Sequence, residues 1–179
     1  TLFAFLMAST KTLLYKYTGQ EDIVVGSPVA GREHAELEDQ IGFYANTLAF
    51  RDQLQANESF NHNYAQIKDG LLTSYEHQMY PFDRLVDDLK LNRDTSRGAI
   101  FDVFVLLENT GDATVAEEIE STENLIIEDF GDIISKFDIE FAFQEVGESL
   151  SFNIIYNSDV YDKEVVERMF HHYENIVDL

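Results

Sequence analysis

The run KFDIEFAFQ, residues 136–144, alternates Phe137, Ile139, Phe141 and Phe143 with Asp138, Glu140, Ala142 and Gln144. A period of two places the four apolar side chains on one face of a strand. The run LSFNIIYN, residues 150–157, repeats the pattern with Leu150, Phe152, Ile154 and Tyr156. The linker EVGES between them is short enough to make one antiparallel hairpin with a buried face. A lone hairpin is marginal in water, so the rest of the chain must supply a layer that covers this face.

The remaining segments offer such layers. TLFAFLMASTKTLLYKYTG carries Leu2, Leu6, Leu13 and Tyr17 near helical spacing, with Gly19 placed to close the helix. DIVVGSP is predicted as a short strand ended by Gly26 and Pro28. YANTLAFR puts Tyr44, Asn46, Leu48 and Phe50 on one side and Ala45, Thr47 and Ala49 on the other. A helix is predicted over residues 59–77, with the stripe Phe60, Tyr64, Ile67, Leu71 and Tyr75. Pro81 suits the first position of another helix, with Asp83 at its positive end and Leu85, Val86 and Leu89 facing inward. IFDVFVLL, from Ile100, is apolar on both faces, as a central strand covered on both sides would be. Residues 108–123, ENTGDATVAEEIESTE, lose all period and predict a mobile loop or extended arm. Asp162 caps a last helix carrying Val166, Met169, Phe170, Tyr173 and Val177. The order predicts a layered α/β domain, a mixed β-sheet with packed helices.

Charge narrows the partners. Twelve Lys and Arg stand against 34 Asp and Glu, a formal net charge of −22. Such a surface repels nucleic-acid phosphates and anionic membranes. The chain has no cysteine, which excludes disulfides and thiolate chemistry and leaves the compartment unmarked. No apolar run approaches the ~20 residues that span a bilayer. The opening TLFAFLMAS, without initiator Met or signal features, reads as a start inside a longer polypeptide.

Motifs for chemistry are sparse. GSPVAGRE spaces Gly26 and Gly31 like a phosphate loop, but Arg32 replaces the lysine and Glu33 the hydroxyl, and Pro28 removes a backbone donor. A tight turn is the better reading. His34, His62 and His77 are scattered, and His171 with Glu174 lacks a third ligand, so no metal site is expected. No G-x-S-x-G elbow occurs. His171 falls on the charged face of the last helix and His172 at the edge of its apolar stripe. No catalytic residue is assigned.

Three stretches change the picture together: SPVAGREHAELEDQIGFYANTLAFR, HQMYPFDRLV and RDTSRGAIFDVFVLL. In order and spacing they resemble motifs of condensation domains of nonribosomal peptide synthetases, and the flanks agree over essentially the whole chain. The resemblance implies a chloramphenicol-acetyltransferase-like layered sandwich, with residues 1–179 forming the C-terminal lobe. The family's catalytic H-H-x-x-x-D-G lies in the N-terminal lobe. His171 and His172 do not match it, because Ile176 and Val177 stand where Asp and Gly are required. The lobe alone should therefore be inactive, and the parent an amide-forming acyltransferase acting on carrier-bound aminoacyl or peptidyl thioesters.

The same resemblance implies no directly bound cofactor, since phosphopantetheine arrives on carrier proteins. The implied partners are the N-terminal lobe, peptidyl carrier proteins and an adenylation domain, with self-association of an isolated lobe, in the cytoplasm. Residues 108–123 would be a latch. Asn46, Tyr44 and Arg97 are candidates for the substrate tunnel, while Gly42, Arg51, Pro81, Phe82, Asp94 and Asp102 belong to the motifs in structural roles. Two alternatives stay open at Asn46, a tunnel hydrogen bond or local backbone satisfaction. Arg97 and Asp94 are expected to form an ion pair holding the turn before the central strand. Gly98-Ala99 departs from the family's Asn-Pro, and Met79 from its acidic residue. A docking module without catalysis and an epimerization-domain lobe are the rival readings.

Overall fold

The computed structural model describes residues 1–32, 34–37, 40–91, 97–108, 135–147 and 149–178. Helix α1 (Leu2–Thr18) starts at Thr1, whose hydroxyl accepts from the Ala4 amide, and ends at Gly19 in the left-handed conformation. It leads into β1 (Asp22–Val29), a 3₁₀ turn (Ala35–Leu37) and β2 (Asn46–Gln53). Helices α2 (Phe60–Tyr75) and α3 (Phe82–Asp88) precede β3 (Val103–Glu108). The hairpin β4 (Ile139–Val146) and β5 (Ser149–Tyr156) turns at Gly147, φ 60°, and α4 (Lys163–Val177) closes the described chain.

The five strands form one mixed sheet in the order β2-β1-β3-β4-β5. The outer pairs, β1 with β2 and β4 with β5, are antiparallel, while β3 runs parallel to both β1 and β4. Two hairpin-like pairs are thus joined through a parallel centre. Parallel neighbours need crossovers, and α2 with α3 lies on the connection from β2 to β3.

Alternation decides which face is covered. Val25, Phe50, Val105, Ile139, Phe141 and Phe143 point into one core with Leu6, Met7 and Leu13 of α1, Ile67 and Leu71 of α2, and Met169 and Tyr173 of α4. Aromatic packing ties the hairpin to α4: Phe143 stacks on Phe152 at 4.8 Å, and Phe152 on Phe170 at 4.9 Å. Tyr173 adds a hydrogen bond from its hydroxyl to the Leu6 carbonyl at 3.3 Å. Burial raises its hydroxyl pKa far above the ordinary value, so it stays a neutral donor.

Several expectations need correction. Strand β1 does not end at Gly26 or Pro28; it pairs with β2 as far as Val29, opposite Asn46. Gly26 is a packing residue, because a Cβ there would lie 2.1 Å from the Phe101 ring. Strand β3 starts at Val103, not Ile100, and its second face is covered at Phe104 by Phe101 and Phe137, the latter stacked at 4.3 Å. Pro81 is the residue before α3 rather than its first helical position, and Leu89 is exposed. In α1, Leu2 and Tyr17 lie at the rim, while Ala4 and the run Leu6 to Lys11 are buried.

Lys11 of α1 is fully buried. Its ammonium donates to the Phe50 carbonyl at 2.8 Å and to the Asp52 carboxylate. Desolvation lowers its pKa, opposed by Asp52. Gly70 of α2 makes room, since a Cβ there would meet Asp52 Oδ1 at 2.9 Å. Three elements, α1, β2 and α2, are pinned at this point. Of the proposed latch, only Glu108 is described, as the last residue of β3; Asp94 and residues 109–123 lie outside the described residues. Among the described residues, no helix is long and apolar enough to cross a membrane.

Candidate functional site

Two motif segments meet at Asn46, the first residue of β2. Its amide nitrogen donates to the carbonyls of Gln78 and Tyr80, each at 2.8 Å, and its amide oxygen accepts from the Phe82 amide at 3.2 Å. Both amide hydrogens are therefore committed to the turn that starts α3. Of the two readings at this position, local backbone satisfaction is the one the geometry carries. Only the second lone pair of the oxygen remains unused in these contacts.

That turn forms one wall of a groove of about 700 Å³. Leu48, Ala49, Met79, Pro81 and Leu85 make its apolar lining, and His77 and Arg84 are among its polar groups. The groove lies between the β2 edge of the sheet and the α2–α3 turn, the turn that Asn46 ties to β2. The Tyr80 hydroxyl bonds Asp88, which raises the phenol pKa. Phe82 anchors the start of α3 by packing on Phe101 at 5.6 Å.

The loop before β2 is held by Arg32. Its guanidinium donates to the carbonyls of Leu37, Gln40 and Gly42, the last two at 2.8 and 3.3 Å, and stacks 4.8 Å above the Tyr44 ring. The Tyr44 hydroxyl donates to Gln40 Oε1 at 2.9 Å. Tyr44 thus shapes the loop. Gly31 must be glycine: its φ is 66°, and a Cβ would sit 2.0 Å from the Tyr44 carbonyl oxygen. Gly42 is required by the Tyr44 ring, 2.8 Å from a built Cβ. What resembled a phosphate loop is a strand end followed by an arginine-pinned turn.

Arg97 does not line the groove. It lines a smaller pocket of about 240 Å³ with Asp102, Lys136, Asp138 and Asn157. Its ion pair there is with Asp102, at 3.4 Å, and Asp102 also accepts from the Gly98 amide at 3.1 Å. Burial, with the neighbouring Asp102 charge, raises the Asp138 pKa, and Arg97 opposes the shift. Arg51 lies elsewhere again, in an exposed two-pronged pair with Asp22 at 2.9 and 2.7 Å. The tunnel candidates are thus split: Asn46 and Tyr44 shape one groove and its approach, and Arg97 sits in another pocket. Sequence reasoning missed Arg32, Lys11, Asp52 and Asp138, whose partners are carbonyl groups or charges brought close only by the fold.

The histidine pair is exposed. His171 Nδ1 lies 3.1 Å from Glu174 Oε2, and His172 Nδ1 2.9 Å from the Tyr17 hydroxyl. Among the described residues, no group of three or more acidic or histidine side chains is placed to hold a metal ion.

A profile described as Condensation domain matches residues 1–178. Tyrocidine synthase 3 from Brevibacillus parabrevis is 40% identical over 179 residues, covering 99% of this chain and 3% of that protein. Surfactin synthase subunit 1 from Bacillus subtilis is 34% identical over 178 residues, covering 99% of this chain and 5% of that protein. The chain therefore spans a small fraction of the relatives it matches. A crystal structure of a four-domain nonribosomal peptide synthetase bound to AMP and glycine superposes with a TM-score of 0.84 at 20% identity, covering 99% of this chain and 14% of that one. The condensation domain from Monacolin K polyketide synthase gives 0.79 at 17%, over 98% of this chain and 40% of that one. The X-domain from teicoplanin biosynthesis gives 0.80 at 20%, over 97% and 40%.

Proposed function

The chain belongs to the condensation-domain family, and from that premise we propose that it is the C-terminal lobe of a nonribosomal peptide synthetase condensation domain. The parent domain forms an amide bond between carrier-bound aminoacyl or peptidyl thioesters. This lobe contributes a wall for the phosphopantetheine arm, which carrier domains deliver, and holds no catalytic base. It works with the other lobe, carrier proteins and an adenylation domain, in the cytoplasm. The observation that carries the reading is the Asn46 clamp. It joins two family motif segments beside one largely apolar groove.

The chemistry suits a wall. An amide whose hydrogens are bound to backbone cannot move a proton, but it holds the turn that carries Met79 and Pro81 beside β2, where these residues line one groove with Leu48 and Ala49. Positioning of two tethered reactants is itself a large part of such a reaction, worth ~7–11 kcal/mol in well-oriented systems. The chain contains no H-H-x-x-x-D-G. With two loaded carrier proteins, purified residues 1–179 should give no dipeptidyl-carrier product by mass spectrometry. Product above the buffer control overturns the reading.

A second reading is a docking module without catalysis. It is favoured by the likeness to the X-domain, which has also been solved as a complex with OxyB. Codons upstream of Thr1 discriminate: an H-H-x-x-x-D-G in frame supports the enzyme, and its absence the docking module.

A further inference from the structure

Ile41 and Phe43 are 105% and 94% exposed, although both are large and apolar. They are not on a slack segment. Arg32 fixes the carbonyls of Gln40 and Gly42 on either side of Ile41, and the Tyr44 ring behind Phe43 lies under the same guanidinium. Met79 and Tyr80, 62% and 44% exposed, stand on the turn bound by Asn46. Phe43 precedes Asn46 by three residues, which span at most ~11 Å, so the loop lies next to that turn on the surface. A pinned loop that presents apolar side chains to solvent is a preformed contact.

We infer that Arg32 is a positioning residue that holds loop 40–45 as a ready-made apolar plug for the part of the condensation domain lying outside this chain. The inference rests on the family reading above. Two observations select that occupant. Matched condensation domains are about two and a half times longer, this chain covering 40% of the solved example. A second copy is disfavoured, because each carries a formal net charge of −22. Lysine cannot replace Arg32, since a single ammonium does not bridge three carbonyls and stack flat on a ring.

The test uses two arms that do not depend on catalysis. In residues 1–179, Arg32→Ala and Arg32→Lys should both speed hydrogen exchange at amides 40–45 several-fold, while β1 and β4 exchange as before. Unchanged exchange in the loop, or an equal rise throughout the sheet, overturns the positioning role. For the plug, Ile41→Ser with Phe43→Ser is made in residues 1–179 and again in the same residues grafted into the matched position of the tyrocidine synthase 3 condensation domain. The pair should lower the thermal midpoint of the graft by about 4 °C or more relative to the unsubstituted graft, and leave that of residues 1–179 alone unchanged. Equal shifts in both settings overturn the occupant. So does a dimer of residues 1–179 in sedimentation that the double substitution abolishes, because a second copy is then what the plug fits. An unsubstituted graft that does not fold would instead count against the proposed function, and the inference would fall with it.

Discussion

At Asn46 three hydrogen bonds replace water for a half-buried carboxamide, and the turn they hold has no other side-chain anchor of that kind among the described contacts. Asn46→Ala leaves two carbonyls and an amide without their partner, so stability of residues 1–179 should fall by ~1–3 kcal/mol in denaturant titration. An unchanged midpoint would show that the turn stands without the clamp. Charge at Asp138 gives a prediction of opposite sign. Its pKa is raised above the ordinary 3.8 by burial and by Asp102, so the folded state binds protons more tightly than the unfolded one. Deprotonation therefore costs stability, progressively, as pH rises through the window above 3.8. Asp138→Asn should raise the thermal midpoint at pH 7, and the gain should shrink as pH falls toward that window. A gain that grows on acidification contradicts the assignment. Neither partner set was legible in the sequence. Asn46 bonds backbone more than thirty residues away, and Asp138 meets Asp102 only because β3 and β4 run parallel.

Elements whose pattern is local were legible, and those set by distant partners were not. The β4–β5 hairpin follows from period-two alternation and a short turn, α2 from its apolar stripe, and the end of α1 from Gly19. Strand β1 looked interrupted because Gly and Pro punctuate strands. Its continuation depends on β2 alongside and on Phe101 filling the space above Gly26. Gly26→Ala should consequently displace the Phe101 ring and destabilise by ~1–3 kcal/mol, the usual penalty of overpacking. Hydrogen exchange should rise first in β1 and β3. Protection left intact there would show that the ring moves aside freely. The buried Lys11–Asp52 pair makes the same point for α1, β2 and α2. Removing one partner, as in Asp52→Ala, should cost ~3–5 kcal/mol by stranding a buried ammonium, whereas replacing both by apolar residues should cost much less. Comparable losses in the two variants would show that packing, not charge, matters at that joint.

For the whole molecule, one helical layer seals one face of a five-stranded sheet, and the groove opens beside β2. The motif order in the sequence already pointed to this family, and the fold agrees. What the order did not reveal is the local partners of the motif residues: Asn46 bonds the turn before α3, Tyr44 bonds Gln40, and Gly42 leaves room for the Tyr44 ring. Wall without catalyst is the central claim, and one experiment addresses both halves of it. Residues 1–179 are assayed alone and as a graft in the matched position of tyrocidine synthase 3, each with two loaded carrier proteins, and dipeptidyl product is followed by mass spectrometry. The account predicts product from the graft, a lower yield when the graft carries Asn46→Ala, and none from the lobe alone. Product from the lobe alone, or a graft that folds yet forms none, would contradict it.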